Sequence, residues 1–217
     1  MTAVVAIDGP AASGKGTLST RLAKALGFAH LDTGLLYRAV GMMVADGGHH
    51  TDPELFVAAA RRLAEADLRR PDLRGGLAGR MASIGAAIPE VRALLLDWQR
   101  RFAAEPPGGK PGAILEGRDI GTVICPDAAV KLYVVASAEE RARRRVAELQ
   151  GRGEEAIYAT VLQDLQDRDR RDQERAVAPL KPAADAVVLD TTELDADQVF
   201  ERALAIVRDR LAAKTKA

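Results

Sequence analysis

A glycine-rich stretch near the N-terminus constrains this chain more than any other feature. Residues Gly9 to Thr17 follow the apolar, β-branched run Ala3 to Ile7 and precede a helical pattern from Leu18 to Leu26. A glycine-rich loop between a buried strand and a helix is typical of phosphate-binding loops. Glycines let successive backbone N–H groups turn towards phosphate oxygens, and the helix N-terminus adds its partial positive charge. The order strand, loop, helix therefore predicts an α/β fold that binds a phosphorylated ligand.

The sequence of this phosphate loop departs from the usual pattern at one position. Gly16 stands where the magnesium-binding hydroxyl usually lies, and Thr17 follows one place later. We therefore expect Thr17 to contact phosphate, while Mg²⁺ is held mainly by the nucleotide phosphates and by water ordered by carboxylates such as Asp32. Lys15 is expected to reach the β- and γ-phosphates. The candidate nucleotide-binding residues are Gly9, Pro10, Ala11, Ala12, Ser13, Gly14, Lys15, Gly16 and Thr17.

Short apolar runs typical of buried parallel strands recur along the chain. They comprise residues 3–7, 29–31, 113–115, 130–135 and 186–189. Between residues 51 and 105 the pattern is helical, with an interruption from Arg69 to Gly79, a restart at Pro89 and no strand. A last amphipathic helix is expected from Ala196 to Leu211. About five strands separated by helices predict an α/β sandwich around a parallel sheet.

Balanced charge limits the partners of this chain. Lys+Arg and Asp+Glu both number 31 among 217 residues, so no net field attracts nucleic acid or an anionic membrane. Three histidines and the single Cys125 lack zinc-ligand spacing, so we expect no metal site built by protein side chains, and His49 and His50 are expected in a loop. No uncharged apolar run approaches the roughly 18 residues of a membrane span, and no secretory signal is readable. We expect a cytoplasmic, single-domain protein without nucleic-acid or membrane partners.

A charged run from Arg168 to Arg175 follows a helical pattern of apolar residues. At about 100° per residue, Arg168, Asp172 and Arg175 lie on one helical face over about 10 Å. Two cations beside one carboxylate suit a phosphorylated sugar, whereas a solvated face held by pairs three or four residues apart would look the same. The run alone leaves both interpretations open.

Four segments in their order along the chain resemble the bacterial cytidylate kinases, and the likeness covers nearly the whole length. They are residues 9–17, 31–38, 116–122 and 168–175. The resemblance implies transfer of the γ-phosphoryl group of ATP to CMP or dCMP, giving ADP and CDP or dCDP, in pyrimidine nucleotide metabolism. It also implies a monomer with a P-loop NTPase-type three-layer sandwich and a five-stranded parallel sheet. The expected single kinase domain, residues 1–217, comprises a core (about 1–34, 106–140 and 176–217), a helical monophosphate-binding insert (about 35–105) and a lid (about 141–175).

The resemblance also implies roles for individual residues. Those near the transferred phosphoryl group are Lys15, Arg118, Arg168 and Arg175, and those that bind the acceptor are Thr33, Arg38, Ser83, Arg92, Asp119, Arg168, Asp172 and Arg175. Asp119 can accept a hydrogen bond from the exocyclic N4 amine of cytosine, whereas uracil presents a carbonyl there. Glu116 stands where family members often have Asp, which leaves its partner open. Arg141, Arg143, Arg144 and Arg145 are either lid contacts or a solvated helix face.

Other functions remain as alternatives to this interpretation. A kinase could act on another monophosphate or on shikimate, which a panel of acceptors distinguishes. A regulatory GTPase would need a guanine-selecting Asn-Lys-x-Asp stretch, which this sequence lacks. An arginine-rich RNA-binding module is disfavoured by the zero net charge and by an aromatic content of 4%.

Overall fold

The structure is a computed structural model that describes residues 2–48 and 51–215. His49 and His50 therefore lie outside the described residues. The strands are β1 (Ala3–Asp8), β2 (Ala29–Asp32), β3 (Gly112–Gly117), β4 (Val130–Val135) and β5 (Val187–Asp190). The helices are α1 (Lys15–Leu26), α2 (Thr33–Asp46), α3 (Pro53–Arg62), α4 (Gly76–Gly85), α5 (Pro89–Ala104), α6 (Ala138–Gln150), α7 (Tyr158–Glu174) and α8 (Ala196–Thr215), with short helical turns at Glu65–Arg69, Pro71–Arg74 and Ile120–Ile124.

The five strands form one parallel sheet in the order β2-β3-β1-β4-β5, which confirms the predicted fold class. Strand β1 is central and pairs with β3 on one side and β4 on the other, so that Asp8 lies opposite both Gly117 and Tyr133. The carboxyl ends of parallel strands share one edge, and ligands of open α/β sheets bind there. This edge collects the phosphate loop after β1, Asp32 at the end of β2 and the segment after β3.

Helices cover both faces of the sheet because the strands are apolar on both sides. On one face, Leu18 and Leu22 of α1 and Val199 and Val207 of α8 pack against β1 and β4. On the other face, Ala103 of α5 and the turn Ile120–Ile124 pack against β1 and β3. The result is the three-layer arrangement that the sequence predicts.

A second cluster of buried side chains lies among α2, α3, α4 and α5, away from the sheet. It contains Leu36, Phe56, Met81 and Leu95, all almost fully buried. Helices α2 and α4 approach closely because Gly41 has no side chain. A Cβ at this position would lie only 2.5 Å from the Cβ of Met81. This cluster gives residues of the predicted insert a core of their own.

Several element boundaries differ from the prediction. Helix α4 begins at Gly76, inside the predicted interruption, because packing against α2 offsets the low helix propensity of its glycines. Strand β5 ends at Asp190, one residue beyond the expected end. Helix α7 ends at Glu174, and Arg175 has extended dihedral angles, because the N–H of Leu180 returns to the carbonyl of Asp172 at 2.7 Å. No described residue between 51 and 105 forms a strand, and no described helix is long and apolar enough to cross a membrane.

Candidate active site

The phosphate loop has the backbone geometry that its glycines predict. Gly9 has φ of 154°, and a Cβ there would lie 2.1 Å from the carbonyl oxygen of Val134. Gly14 has φ of 87° and directly precedes α1, so the loop ends where the unpaired N–H groups of the helix begin. Ala12 also has positive φ, at 59°. Alternating backbone handedness before a helix N-terminus makes a concave site for a phosphate group.

Lys15 lies at the base of this loop with its charge poorly satisfied. Its Nζ donates to the carbonyl oxygen of Pro10 at 3.1 Å. Burial, followed by the neighbouring charge of Arg118, lowers the pKa of Lys15 to about 7, although Glu116 and Asp32 oppose this shift. Phosphate oxygens placed beside Nζ would restore its charged form.

Two carboxylates at the ends of β2 and β3 face Lys15. Asp32 caps α2 by accepting from the N–H of Gly34 at 3.0 Å. Glu116 is 4% exposed, and burial together with the charge of Asp32 raises its pKa. A Cβ at Gly16 would lie 3.4 Å from Glu116 Oε1, so Glu116 fills the space beside the loop where a Ser or Thr side chain would stand. Oε2 of Glu116 has no hydrogen-bond partner among the described residues.

Eight cationic side chains line a cleft of about 410 Å³ between the phosphate loop and α7, and Lys15, Arg38, Arg118 and Arg168 are among them. Arg118 Nε donates to Asp172 Oδ2 at 2.9 Å, and Arg168 Nε lies 3.9 Å from the same oxygen. Burial and the charge of Arg118 lower the pKa of Arg168 to about 9. Asp172 therefore compensates both Arg118 and Arg168, and an anion in the cleft would relieve the remaining repulsion between these two arginines.

The structure brings Arg118, Arg168, Asp172 and Arg175 together. Asp172 is buried and Arg168 is partly buried, so a solvated helix face is wrong for these two, whereas Arg170, Arg171, Gln173 and Glu174 are exposed. Burial favours the neutral form of Asp172, but Arg118 and Arg168 outweigh it and hold the pKa of Asp172 below its usual range. Arg175 reaches the site from the extended segment after α7 rather than from the helix, so its expected position on the helical face is wrong. Its Nε donates to the carbonyl oxygen of Ala178.

The residues expected to bind the acceptor phosphate lie at the start of α2. Thr33 is buried, and its Oγ1 donates to the carbonyl oxygen of Glu116 at 2.7 Å. Arg38 lies one turn further along α2 and donates to the carbonyl oxygen of Leu73 at 2.8 Å. The side chain of Arg38 also lines the cationic cleft.

The residues expected to read the base form a buried group beside the cleft. Arg92 on α5 forms a hydrogen-bonded ion pair with Asp119, and Arg175 Nη2 lies 3.7 Å from Asp119 Oδ1. The guanidinium of Arg92 also lies 5.8 Å from the ring centroid of Tyr37. Ser83 on α4 is buried, and its hydroxyl accepts from Arg171 Nε at 3.3 Å.

The arginines from 141 to 145 divide into different environments. Arg141 is 5% exposed and donates to the carbonyl oxygen of Ala11 at 3.2 Å, while its Nη2 lies 2.6 Å from Asp169. Arg144 donates to Thr191 Oγ1 at 2.9 Å. A solvated helix face is therefore wrong for these two, whereas Arg143 is exposed and pairs with Glu140.

The sequence did not indicate the partners of three residues that organise this site. Asp8 accepts from the backbone N–H groups of Ile120 and Gly121, Arg141 joins the phosphate loop to α7, and Arg171 contacts Ser83. An acidic residue at the end of an apolar strand was a usable signal for Asp8. The partners of Arg141 and Arg171 lie 130 and 88 residues away in the chain, and no local pattern points to them.

Solved structures with low identity share this fold. A gluconokinase from Sinorhizobium meliloti has a TM-score of 0.53 and 12% identity, covering 100% of this chain and 98% of that chain. TT1252 from Thermus thermophilus has a TM-score of 0.51 and 22% identity, covering 97% of this chain and 98% of that chain. These likenesses support the fold alone.

The comparison of sequences is more specific. A family model described as Cytidylate kinase matches residues 5–209. The cytidylate kinase of Paramagnetospirillum magneticum is 62% identical over 208 residues, which cover 95% of this chain and 98% of the relative. The cytidylate kinase of Methylocella silvestris is 58% identical over 205 residues, which cover 94% and 93%. Since the family model and these relatives span nearly the whole chain, the chain belongs to the cytidylate kinase family.

Proposed function

We propose that the protein transfers the γ-phosphoryl group of ATP to CMP or dCMP, giving ADP and CDP or dCDP. The observation that carries this proposal is the group of arginines in and beside the cationic cleft. Two of their buried donor atoms, Arg168 Nε in the cleft and Arg175 Nη2 beside Asp119, have no hydrogen-bond acceptor among the described residues. Buried donors are normally satisfied, so these atoms favour an anionic ligand that supplies the acceptors.

On the donor side, the phosphate loop holds the ATP phosphates through its backbone N–H groups. Lys15 exchanges its contact with the carbonyl of Pro10 for the β- and γ-phosphate oxygens. Arg118 and Arg168 approach the transferred group from the opposite wall of the cleft. Because phosphoryl transfer leaves the protein mainly positioning and charge stabilisation to supply, these cations are the groups that lower the barrier.

On the acceptor side, Thr33 and Arg38 hold the CMP phosphate at the N-terminus of α2. Asp172 takes the ribose hydroxyls, and its contact with Arg118 places the sugar next to the transferred phosphate. Asp119 accepts from the N4 amine of cytosine, while Ser83 and Arg92 complete the base site. Asp119 pairs with Arg92 and Arg175, so binding of cytosine must rearrange those contacts.

Helices α6 and α7 act as the lid, and residues 35–105 act as the acceptor-binding insert of a single kinase domain. Arg152, in the turn between these two helices, donates to the carbonyl oxygen of Arg74 at 2.9 Å. Arg171 on α7 reaches Ser83 on α4. These contacts join lid and insert over the cleft, an arrangement that excludes water from the transfer.

The carboxylates beside Gly16 fit a hydrated Mg²⁺ on the ATP phosphates. Asp32 and Glu116 present oxygens next to Lys15, and Oε2 of Glu116 has no other partner among the described residues. The ion would neutralise phosphate charge, with these carboxylates ordering its water. No group of three His, Cys, Asp or Glu side chains able to hold a metal occurs among the described residues.

A coupled assay of ADP release tests this function. The enzyme is supplied with ATP and Mg²⁺ against CMP, dCMP, UMP, AMP and shikimate in turn. We expect CMP and dCMP to give the highest kcat/KM. Preference for another acceptor would replace the base assignment, and GTP hydrolysis without any acceptor would favour a regulatory switch. A monomeric cytoplasmic enzyme that binds no nucleic acid stays a prediction, which sedimentation and salt-dependent RNA retention would test.

A further inference from the structure

The carboxylate of Asp119 does not cap the helical turn that follows it. Asp119 occupies the N-cap position of the turn Ile120–Ile124, where an Asp side chain usually accepts from the first backbone N–H groups. It makes no such bond, and its carboxylate turns towards Arg92 and Arg175 instead. The first N–H groups of the turn therefore need an acceptor from elsewhere.

Asp8 supplies that acceptor from a different part of the chain. Its Oδ1 accepts from the N–H of Ile120 and its Oδ2 from the N–H of Gly121, both at 2.8 Å. The two partners lie 112 and 113 residues away, and Asp8 is 5% exposed. One buried carboxylate thus caps the turn in place of the residue at its N-cap.

Strand pairing holds Asp8 in a fixed position beside these N–H groups. Asp8 ends the central strand β1, which is paired on both sides. Gly121 permits the approach because a Cβ there would lie 3.4 Å from Asp8 Oδ2 and 3.1 Å from Lys131 Cδ. Burial raises the pKa of Asp8 to about 6 against the lowering effect of the two N–H groups, so both oxygens are acceptors at neutral pH.

We infer that Asp8 is a positioning residue for acceptor recognition. Because Asp8 caps the turn Ile120–Ile124, the carboxylate of Asp119 does not bind the turn and is directed towards Arg92, Arg175 and the base. This inference rests on the proposed role of Asp119. Strand β1 therefore has two roles. It leads into the phosphate loop at Gly9, and through Asp8 it holds the segment that carries Arg118 and Asp119.

A double-mutant cycle on acceptor choice tests the inference. Asp8→Asn keeps the shape but offers one acceptor oxygen and an amide group that faces the second N–H. We expect the ratio of kcat/KM for CMP over UMP to fall about tenfold, mainly through a higher KM for CMP, with the KM for ATP changed less than about twofold. When Asp8→Asn is added to Asp119→Asn, the ratio of kcat/KM for CMP over UMP should equal that of Asp119→Asn alone, because Asp8 acts through Asp119. Asp190→Asn, at the exposed end of β5, is the matched control.

The outcomes distinguish the role of Asp8 from the role of Asp119. An unchanged ratio in Asp8→Asn, or an equal fall in both backgrounds, would overturn the inference about Asp8. An unchanged ratio in Asp119→Asn alone would instead remove Asp119 from base recognition.

Amide hydrogen exchange tests the capping even if Asp8→Asn does not fold. In Asp119→Ala, the N–H groups of Ile120 and Gly121 should exchange as slowly as in the unaltered protein, because Asp8 still accepts from them. Faster exchange of these two amides would mean that Asp119 caps its own turn, and the inference would fail.

Discussion

Lys15 is partly buried in the phosphate loop, and its pKa is lowered to about 7. Replacement by the neutral, similarly shaped chain in Lys15→Met removes only the charge on the β- and γ-phosphates. We expect kcat to fall below about a tenth of its original value, since such a contact contributes several kcal/mol in the transition state. Steady-state ADP release measures the loss, and a far-UV spectrum checks the fold. Retention of most of the activity would remove Lys15 from the mechanism.

The same substitution should change how stability depends on pH. Because the folded-state pKa of Lys15 is lowered to about 7 from 10.5, the unfolded chain binds the proton more tightly between these values. The stability of the unaltered protein therefore rises with pH from about 7 to 10.5, relative to a chain without this group. Lys15→Met should be more stable at or below neutral pH, and its advantage should shrink as pH rises. Paired melting curves check this, and a constant difference between the two proteins would contradict it.

Residues differ in how far their roles could be predicted from sequence. The phosphate loop was predictable because local backbone geometry determines it, and Gly9, Gly14 and Lys15 lie as expected. Asp8 and Arg141 act through partners more than 100 residues away, which only the packed sheet and helices bring near. Glu116 was left without a partner in the sequence, and the structure places it against Gly16.

Helix α7 places the opposite charges of Arg168 and Asp172 on one face, and their contacts predict different kinetic effects for each residue. Arg168→Ala should lower kcat by at least about a hundredfold, because arginines at a phosphoryl transition state contribute about 10³ to 10⁵ and Arg118 partly compensates. Arg175→Ala should have a similar effect on kcat. Arg170→Ala is the matched control on the same helix, since Arg170 is exposed and pairs with Asp167. Normal kcat in both Arg168→Ala and Arg175→Ala would mean that α7 and the segment after it have only a structural role.

Asp172 calls for a more conservative change than alanine. Asp172→Ala would lose the ribose contact and also release Arg118, so kcat and the KM for CMP should both suffer. Asp172→Asn retains an acceptor for Arg118, and its effect should fall mainly on the KM for CMP, with a smaller change in the KM for ATP. Separate titrations of CMP and ATP measure this division. A loss confined to kcat in Asp172→Asn would contradict the ribose assignment.

At the level of elements, strands were more predictable than helix boundaries. The five short apolar runs correspond to the five strands, because a buried parallel strand needs a continuous apolar segment. The start of α4 at Gly76 was not predictable, because Gly75, Gly76 and Gly79 oppose a helix locally. Contacts with α2 stabilise it, and these exist only after residues distant in sequence have met.

Across the whole molecule, the proposed lid and the proposed insert meet through a contact that can be removed without replacing a residue that lines the cleft. Arg152→Ala deletes the bond to the carbonyl of Arg74. We expect the KM for CMP to rise about two- to fivefold, because the closed arrangement becomes less populated, while kcat stays the same or rises if product release limits the rate. Arg143→Ala, which removes an exposed pair with Glu140 on α6, is the control. Equal effects of the two variants would mean that the contact does not contribute to closure.

The separate apolar cluster of α2 to α5 has an evolutionary consequence. Ser83 and Arg92 lie in this unit, whereas the phosphate loop and Lys15 belong to the sheet. Recombination that exchanges residues 35–105 between relatives would replace Arg38, Ser83 and Arg92 on the acceptor side and leave donor handling intact. A chimaera with the corresponding segment of a kinase for a different monophosphate should keep its KM for ATP while its acceptor choice shifts. Such a lineage could acquire new acceptors without rebuilding its catalytic apparatus.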